Sequence, residues 1–217
     1  MKVLAIPDLH CPFHHPNALE FIRSVRREYK PDQIVCLGDE IDAAAWSRFD
    51  KDPHGLSPTE ELRRAREALA ELRGIAPKLL VCESNHTMRP WRKASSVGLT
   101  DDFLASPGVT LGCPRWQWAS RWEIDGVVYM HGEGFSGVAA HTQAARQNRR
   151  PTVIGHIHAH AGVNYLTGYY DSIFGVNAGC LIDPASRAFD YGRHLLNRPW
   201  LGCVIVSDGT PTLIPMR

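Results

Sequence analysis

The sequence predicts an α/β fold, a single domain over residues 1–217 in which two sheets meet at one polar site. Three observations carry that expectation. Residues 1–86 alternate buried-strand runs with amphipathic helical stretches. The rest of the chain is rich in short strands, some joined by Asp-Gly turns. Finally, a short polar cluster follows each of five apolar runs: Asp8-Leu9-His10, Gly38-Asp39-Glu40-Ile41-Asp42, Asn85-His86, His131-Gly132 and Gly155-His156-Ile157-His158. In a parallel sheet, residues that end successive strands collect along one carboxyl edge, where such folds build their sites.

Lys2–Pro7 is the first strand and ends at Asp8. Asn17 with Glu20 three residues later has the form of a capped helix start, and Leu19, Ile22 and Val25 give that helix an apolar face. Gln33–Leu37 is the second strand and delivers Gly38-Asp39. Residues 43–56 carry Trp46, Phe49, an Asp-Pro and a His-Gly pair, and read as an irregular excursion. Ser57-Pro58-Thr59-Glu60 combines a cap, a first-turn proline and an acid, so a second helix starts there, runs to Arg73 and stops at Gly74. Lys78–Cys82 is the third strand and delivers Asn85-His86. Trp122–Ile124 and Val127–Met130 flank Asp125-Gly126, a favoured two-residue hairpin turn, and the second arm ends at His131. A helix over Val138–Asn148 and a strand over Thr152–Ile154 lead to Gly155-His156. Ile173–Val176, Leu201–Val206 and Thr212–Ile214 are further strands, the last two joined through Asp208-Gly209.

With 217 residues the chain can bury a substantial core. Its 44% apolar and 22% charged residues are those of an ordinary globular protein. A net charge of +1 excludes a globally basic nucleic-acid coat and still permits a local basic patch. No apolar stretch approaches the length of a membrane span, so no membrane partner is expected. Met1 leads straight into the first strand and a candidate ligand at Asp8, which leaves no room for a removable signal peptide; cytoplasmic residence is expected. The six cysteines are scattered without a C-x-x-C pair, which fits reduced thiols.

The five clusters offer aspartate, asparagine and histidine donors and no cysteine, the ligand mix of a two-metal hydrolytic site. In order along the chain they read D-x-H, G-D-x-x-D, N-H, H-G and G-H-x-H, and in this the sequence resembles the calcineurin-like metallophosphoesterases, in a small stand-alone form of bacterial or phage type. The resemblance runs from residue 8 to about 180. It implies the family's α/β sandwich of two mixed sheets flanked by helices, and two divalent cations. Asp8, His10 and His158 would hold the first cation, Asn85, His131 and His156 the second, with Asp39 bridging. Manganese is the first expectation; iron, zinc, cobalt and nickel accept the same donors. His86 resembles the family's non-ligand histidine, which protonates the leaving-group oxygen or stabilises its charge, and Asp42 resembles the carboxylate that orients it. Phosphate-ester hydrolysis is so slow unaided that enzymes accelerate it by up to ~10²¹. The implied chemistry meets that demand with paired cations that polarise the phosphoryl oxygens and ionise a bridging water for attack.

Several positions depart from the family pattern. Ser84 stands where a glycine precedes Asn-His, and Thr87 where an acid follows it. Ala43 stands where protein phosphatases of the superfamily carry an arginine, which weighs against a protein-phosphatase reading. Asn177-Ala178-Gly179 is loosely similar to an Asn-Pro-Gly near the family's carboxyl end. Arg89, Arg92 and Lys93, with Trp91 among them, either contact a second phosphate or flanking nucleotides or form a solvated loop or helix face. They tilt the expected phosphate mono- or diester substrate toward a nucleotide or nucleic-acid-type diester. The alternatives are a serine/threonine-type protein phosphatase and a non-catalytic scaffold with this fold, which would be expected to have lost ligands or the catalytic histidine. Trp116, Trp118 and Trp122 alternate as in a strand and are expected in the core, and His194 has no visible partner.

Overall fold

The computed structural model describes residues 1–47, 53–186 and 198–217. Its first strand, β1 (Lys2–Ile6), has almost no solvent face. Leu4 and Ile6 enter a core shared with helices, while Val3 and Ala5 enter a second core that lies between two sheets. That two-residue alternation lets one uninterrupted apolar run serve both sides of a buried strand.

Around β1 the first sheet gathers β2 (Gln33–Cys36), β3 (Leu80–Cys82), β4 (Gln117–Ala119), β10 (Gly202–Ser207) and β11 (Thr210–Pro215), in the order β11-β10-β1-β2-β3-β4. The neighbours from β1 to β4 pair parallel, and β10 pairs antiparallel with both β1 and β11. The second sheet contains β5 (Arg121–Ile124), β6 (Val127–Met130), β7 (Thr152–Ile154), β8 (Ala161–Thr167) and β9 (Ser172–Ala178), in the order β5-β6-β7-β9-β8. Here β6–β7 and β7–β9 are parallel and the outer pairs antiparallel. Helices α1 (Ala18–Tyr29) and α2 (Pro58–Ile75) cover the first sheet through Ile22, Val25, Leu69 and Leu72. A helix over Ala140–Asn148 packs Ala140 and Ala144 against Ile154 on the second. The architecture is the expected sandwich of two mixed sheets flanked by helices. No helix among the described residues is long and apolar enough to cross a membrane.

Local differences from the sequence expectations have physical causes. Helix α2 runs through Gly74 to Ile75. Glycine costs about 1 kcal/mol inside a helix, whereas burying Ile75, 3% exposed, returns roughly 1.5–3 kcal/mol. Asn17 does not cap α1 with its side chain; its backbone (φ −92°, ψ 1°) is not extended, and its N–H donates to His15 Nδ1 at 3.1 Å. Ser57 does cap α2, accepting from the Glu60 N–H at 3.3 Å. Of the excursion at 43–56, Ala44–Trp46 is a 3-10 turn, and Phe49 lies outside the described residues, as does His194. The three tryptophans are buried or half-buried, and their indole N–H groups donate to the Ala76 carbonyl, Glu40 Oε1 and the Val81 carbonyl, each at 3.0 Å. All six cysteines are free and buried.

The two helix starts give a paired test. Ser57→Ala should destabilise the protein by about 1 kcal/mol in chemical denaturation, and Asn17→Ala by only a few tenths. Equal losses would contradict this difference in capping.

Candidate metal centre

Because β1, β2 and β3 run parallel, Asp8, Asp39 and Asn85 leave the same edge of the first sheet. Parallel β6 and β7 likewise release His131 and His156 from the second sheet. His10 (φ 52°), Asp39 (φ 48°) and His156 (φ 68°) occupy the left-handed region. Non-glycine residues held there store on the order of 1–3 kcal/mol each, a strain that concentrates at functional sites. Gly155 lies so close to the first sheet that a Cβ there would overlap Asp8 Oδ1.

The ligand-type atoms of Asp8, His10, Asp39 and His158 all lie within 4.8 Å of one another, as do those of Asp39, His131 and His156. Asp39 belongs to both groups. Asp39 Oδ2 is 3.5 Å from His10 Nε2 and 3.3 Å from His131 Nε2. Asn85 Oδ1 lies 2.7 Å from His131 Nε2, and His156 Nδ1 lies 3.1 Å from it. The far nitrogens are fixed from behind: His10 Nδ1 donates to Asp42 Oδ1 at 2.7 Å and His131 Nδ1 to the Leu37 carbonyl at 3.0 Å. Both rings therefore turn Nε2 toward the cluster. Asp8 Oδ2 accepts from the His156 N–H at 2.8 Å and from His158 Nε2 at 2.9 Å, but its buried Oδ1 has no donor among the described residues. Buried carboxylate oxygens demand a partner. Oxygen and imidazole donors without a thiolate, converging around such an oxygen, fit divalent cations. Asn177, at the end of β9, donates to the Ile157 and His160 carbonyls and so holds the backbone on both sides of His158.

Beside the cluster, His86 Nδ1 donates to Asp42 Oδ1 at 3.0 Å and to the Asp42 carbonyl at 2.9 Å. The His86 N–H donates to Asp39 Oδ1 at 3.0 Å, and the His10 and His86 rings meet edge to face at 4.5 Å.

The family model of the calcineurin-like phosphoesterases matches residues 1–169. The chain belongs to that family. Among solved structures, the fold is similar to Yfce, a phosphoesterase from E. coli, at 15% identity and a TM-score of 0.53, covering 99% of this chain and 93% of that one. Vacuolar Protein Sorting 29 from Cryptosporidium parvum matches at 14% identity and a TM-score of 0.43, covering 98% of this chain and 95% of that one. At 15% identity the likeness to Yfce shows the fold alone. None of the curated proteins matches the sequence.

Members of this family use divalent metals, and the centre's electrostatics suit them. Burial alone would raise Asp8 and Asp39. The His158 hydrogen bond and the His131 and His158 charges bring Asp8 below its ordinary pKa, and His131 and His86 bring Asp39 well below. Burial depresses His131, but the Asp39 charge beside it more than compensates, and its pKa rises to about 9. His10 and His156 are lowered, by burial first and then by the neighbouring imidazoles His86 and His131. His86 is raised because Asp39 and Asp42 outweigh its burial, and Asp42 is lowered because hydrogen bonds from His10 and His86 outweigh its own.

The cations of helix α3 (Arg89–Ser96) part company. Arg89, half-buried, donates from Nη1 to the Asp42 carbonyl at 2.9 Å and from Nη2 to His86 Nε2 at 3.0 Å. Arg92 forms a two-pronged pair with Glu133 at 2.9 and 2.7 Å. Lys93 is exposed. Two features escaped the sequence reading. Asp42 serves His10 as well as His86, and Glu40, between two named carboxylates, is fully buried with its pKa pushed up to about 7 by burial. The sequence signal for either was its place within Gly38-Asp39-Glu40-Ile41-Asp42.

A cation ligated by His131 must displace its proton. With a pKa of about 9, that proton is present at neutral pH and lost as pH rises. Mn²⁺ affinity of chelator-stripped protein should therefore climb with pH, by up to about tenfold per unit, with proton release on binding. Calorimetry in buffers of different ionisation heat measures both; pH-independent binding without proton release would remove His131 from the ligand set.

Proposed function

We propose that this protein is a metal-dependent phosphoesterase that hydrolyses phosphodiesters of the nucleotide or nucleic-acid type. Asp8, His10 and His158 would hold one divalent cation and Asn85, His131 and His156 another, manganese being the first expectation, with Asp39 between them. The observation that carries this reading is the pair of donor groups sharing Asp39, with the His86–Asp42 pair beside them. When bound, the cations supply Lewis acidity toward the phosphoryl oxygens and an ionised water as nucleophile.

The chain's own groups account for the rest. Asp42 holds His86 through Nδ1, so Nε2 is the nitrogen that faces substrate. The carboxylates around it raise the His86 pKa, which suits a group that carries a proton to the leaving oxygen near neutral pH. Arg89 donates to that same Nε2. An entering phosphate oxygen competes for the guanidinium, neutralises it, and frees Nε2 for the proton. Lys93 stands four residues on, on the same helix face as Arg89, where charge beyond the scissile phosphate would meet it. That spacing supports a diester with a flanking nucleotide over a small monoester. Ala43 at the arginine position of protein phosphatases argues against a phosphoprotein substrate.

Chelator-stripped protein should turn over bis-p-nitrophenyl phosphate only with added Mn²⁺, and faster than p-nitrophenyl phosphate. His86→Ala should lower kcat by roughly 10²–10⁴. A monoester preference would overturn the diester assignment. No turnover of either ester with any divalent metal would overturn the phosphoesterase itself and leave a non-catalytic scaffold.

A further inference from the structure

The loop that carries Asp39 and the loop that carries Asn85 and His86 leave different strands, yet the proposed chemistry needs them in fixed register. Reactive groups misplaced by as little as about 1 Å lose on the order of 10² in rate. Two hydroxyls flank Asn85-His86 and both reach across to the other loop. Ser84 Oγ accepts from the Asp39 backbone N–H at 2.8 Å. Thr87 Oγ1 donates to Glu40 Oε2 at 2.9 Å, and the other oxygen of that carboxyl accepts from the Trp118 indole at 3.0 Å. Ser84, Thr87 and Glu40 are 1%, 0% and 0% exposed, so water does not compete for these bonds. The loops also touch directly: a Cβ at Gly38 (φ 103°) would stand 2.6 Å from Ser84 Cβ.

Both hydroxyls stand at positions that depart from the family pattern. Residue 84 has a hydroxyl in place of a glycine, and residue 87 has a hydroxyl in place of an acid. The carboxyl absent from residue 87 is present on the facing loop, at Glu40. We infer that Ser84, Thr87 and Glu40 form a brace that positions Asn85 and His86 against Asp39, an arrangement in which the acid has moved from one loop to the other. Packing alone does not call for it. Apolar side chains would fill the same space without the cost of burying a carboxyl group, which requires partners at both oxygens. Fixed donors at both Glu40 oxygens give a directional link between β2, β3 and β4 that apolar contact lacks. What the brace serves rests on the phosphoesterase reading; the residues themselves touch no substrate and are positioning residues.

The test compares Thr87→Val, which keeps the shape and removes the hydroxyl, with Thr87→Ser, which keeps the hydroxyl. Thr87→Val should lower kcat for bis-p-nitrophenyl phosphate by about 10–100-fold with KM nearly unchanged, and weaken Mn²⁺ binding by about tenfold. Thr87→Ser should restore both to within about threefold of the parent protein. Ser84→Ala, probing the other bond, should shift both readouts in the same direction and decides the matter if Thr87→Val does not fold. The exchange Glu40→Thr with Thr87→Glu should recover activity that Thr87→Glu alone loses. Equal behaviour of Thr87→Val and Thr87→Ser, or parental values in Ser84→Ala, would overturn the brace. If the parent protein turns over no ester, the phosphoesterase reading fails by itself. Mn²⁺ affinity then decides the brace: a deficit in Thr87→Val that Thr87→Ser repairs supports it, and equal affinities overturn it.

Discussion

Asp8, Asp39 and Asp42 are buried within one site at 0%, 1% and 4% exposure. Carboxylates so far from water survive as charges only where hydrogen bonds and positive partners replace the lost solvation. The surrounding side chains answer that demand. His10 and His86 converge on one oxygen of Asp42, His158 and a backbone N–H converge on one oxygen of Asp8, and Asp39 lies between His10 and His131. His10, His86 and His131 are each aimed by what Nδ1 bonds, which is how a ring with two similar nitrogens presents one of them.

The fold makes this concentration of charge affordable by keeping it at a seam. The two sheets bury their facing residues in a valine-rich apolar core that also holds Leu37, Phe174 and the fully buried Tyr129. The polar residues begin only where the strands end. Parallel pairing matters here, because it puts the carboxyl ends of β1, β2 and β3 side by side. Antiparallel neighbours would have sent alternate clusters to opposite edges. The strained backbones of His10, Asp39 and His156 sit at that boundary, where short turns must expose a side chain and redirect the chain at once.

Much of this could be read from residues alone, for a physical reason. A buried parallel strand leaves an uninterrupted apolar run, and a ligand set leaves polar residues at its end; both are local in sequence. Thr152–Ile154 and Val127–Met130 were expected with the bounds they have, and Asp8, His10, Asp39, His131, His156 and His158, all named from the sequence, lie in two groups that share Asp39. What stayed hidden depends on partners far along the chain. Nothing near Asp42 announces His10, nothing near Arg92 announces Glu133, and Glu40 is unremarked until Thr87 and Trp118 stand beside it. Strand β8 also went unread: it is an edge strand, largely half-buried or exposed, so its composition carries no clean apolar alternation, and its existence rests on pairing with β9. Asn17 shows the reverse failure, a local signal whose capping bond the backbone geometry does not permit.

Helix α3 carries Arg89, Arg92 and Lys93, yet it buries none of its residues. Beneath it, Trp46, Leu62, Pro90 and Trp91 help to line an apolar cavity of about 60 Å³. The helix is therefore held less by packing than by polar contacts: Arg89 to Asp42 and His86, Arg92 to Glu133, and the Trp91 indole to the Ala105 carbonyl at 3.0 Å. The Arg92–Glu133 pair is half-exposed and contributes at most about 1 kcal/mol, so Arg89 is the more important anchor. Its guanidinium is also the group that the proposed function assigns to a substrate phosphate. The contact that holds the helix in the resting site and the contact that would hold substrate thus draw on the same donors. An element with few buried apolar contacts opens at low free-energy cost, and an anionic substrate bound to Arg89 would return the order that the guanidinium's own contacts give up.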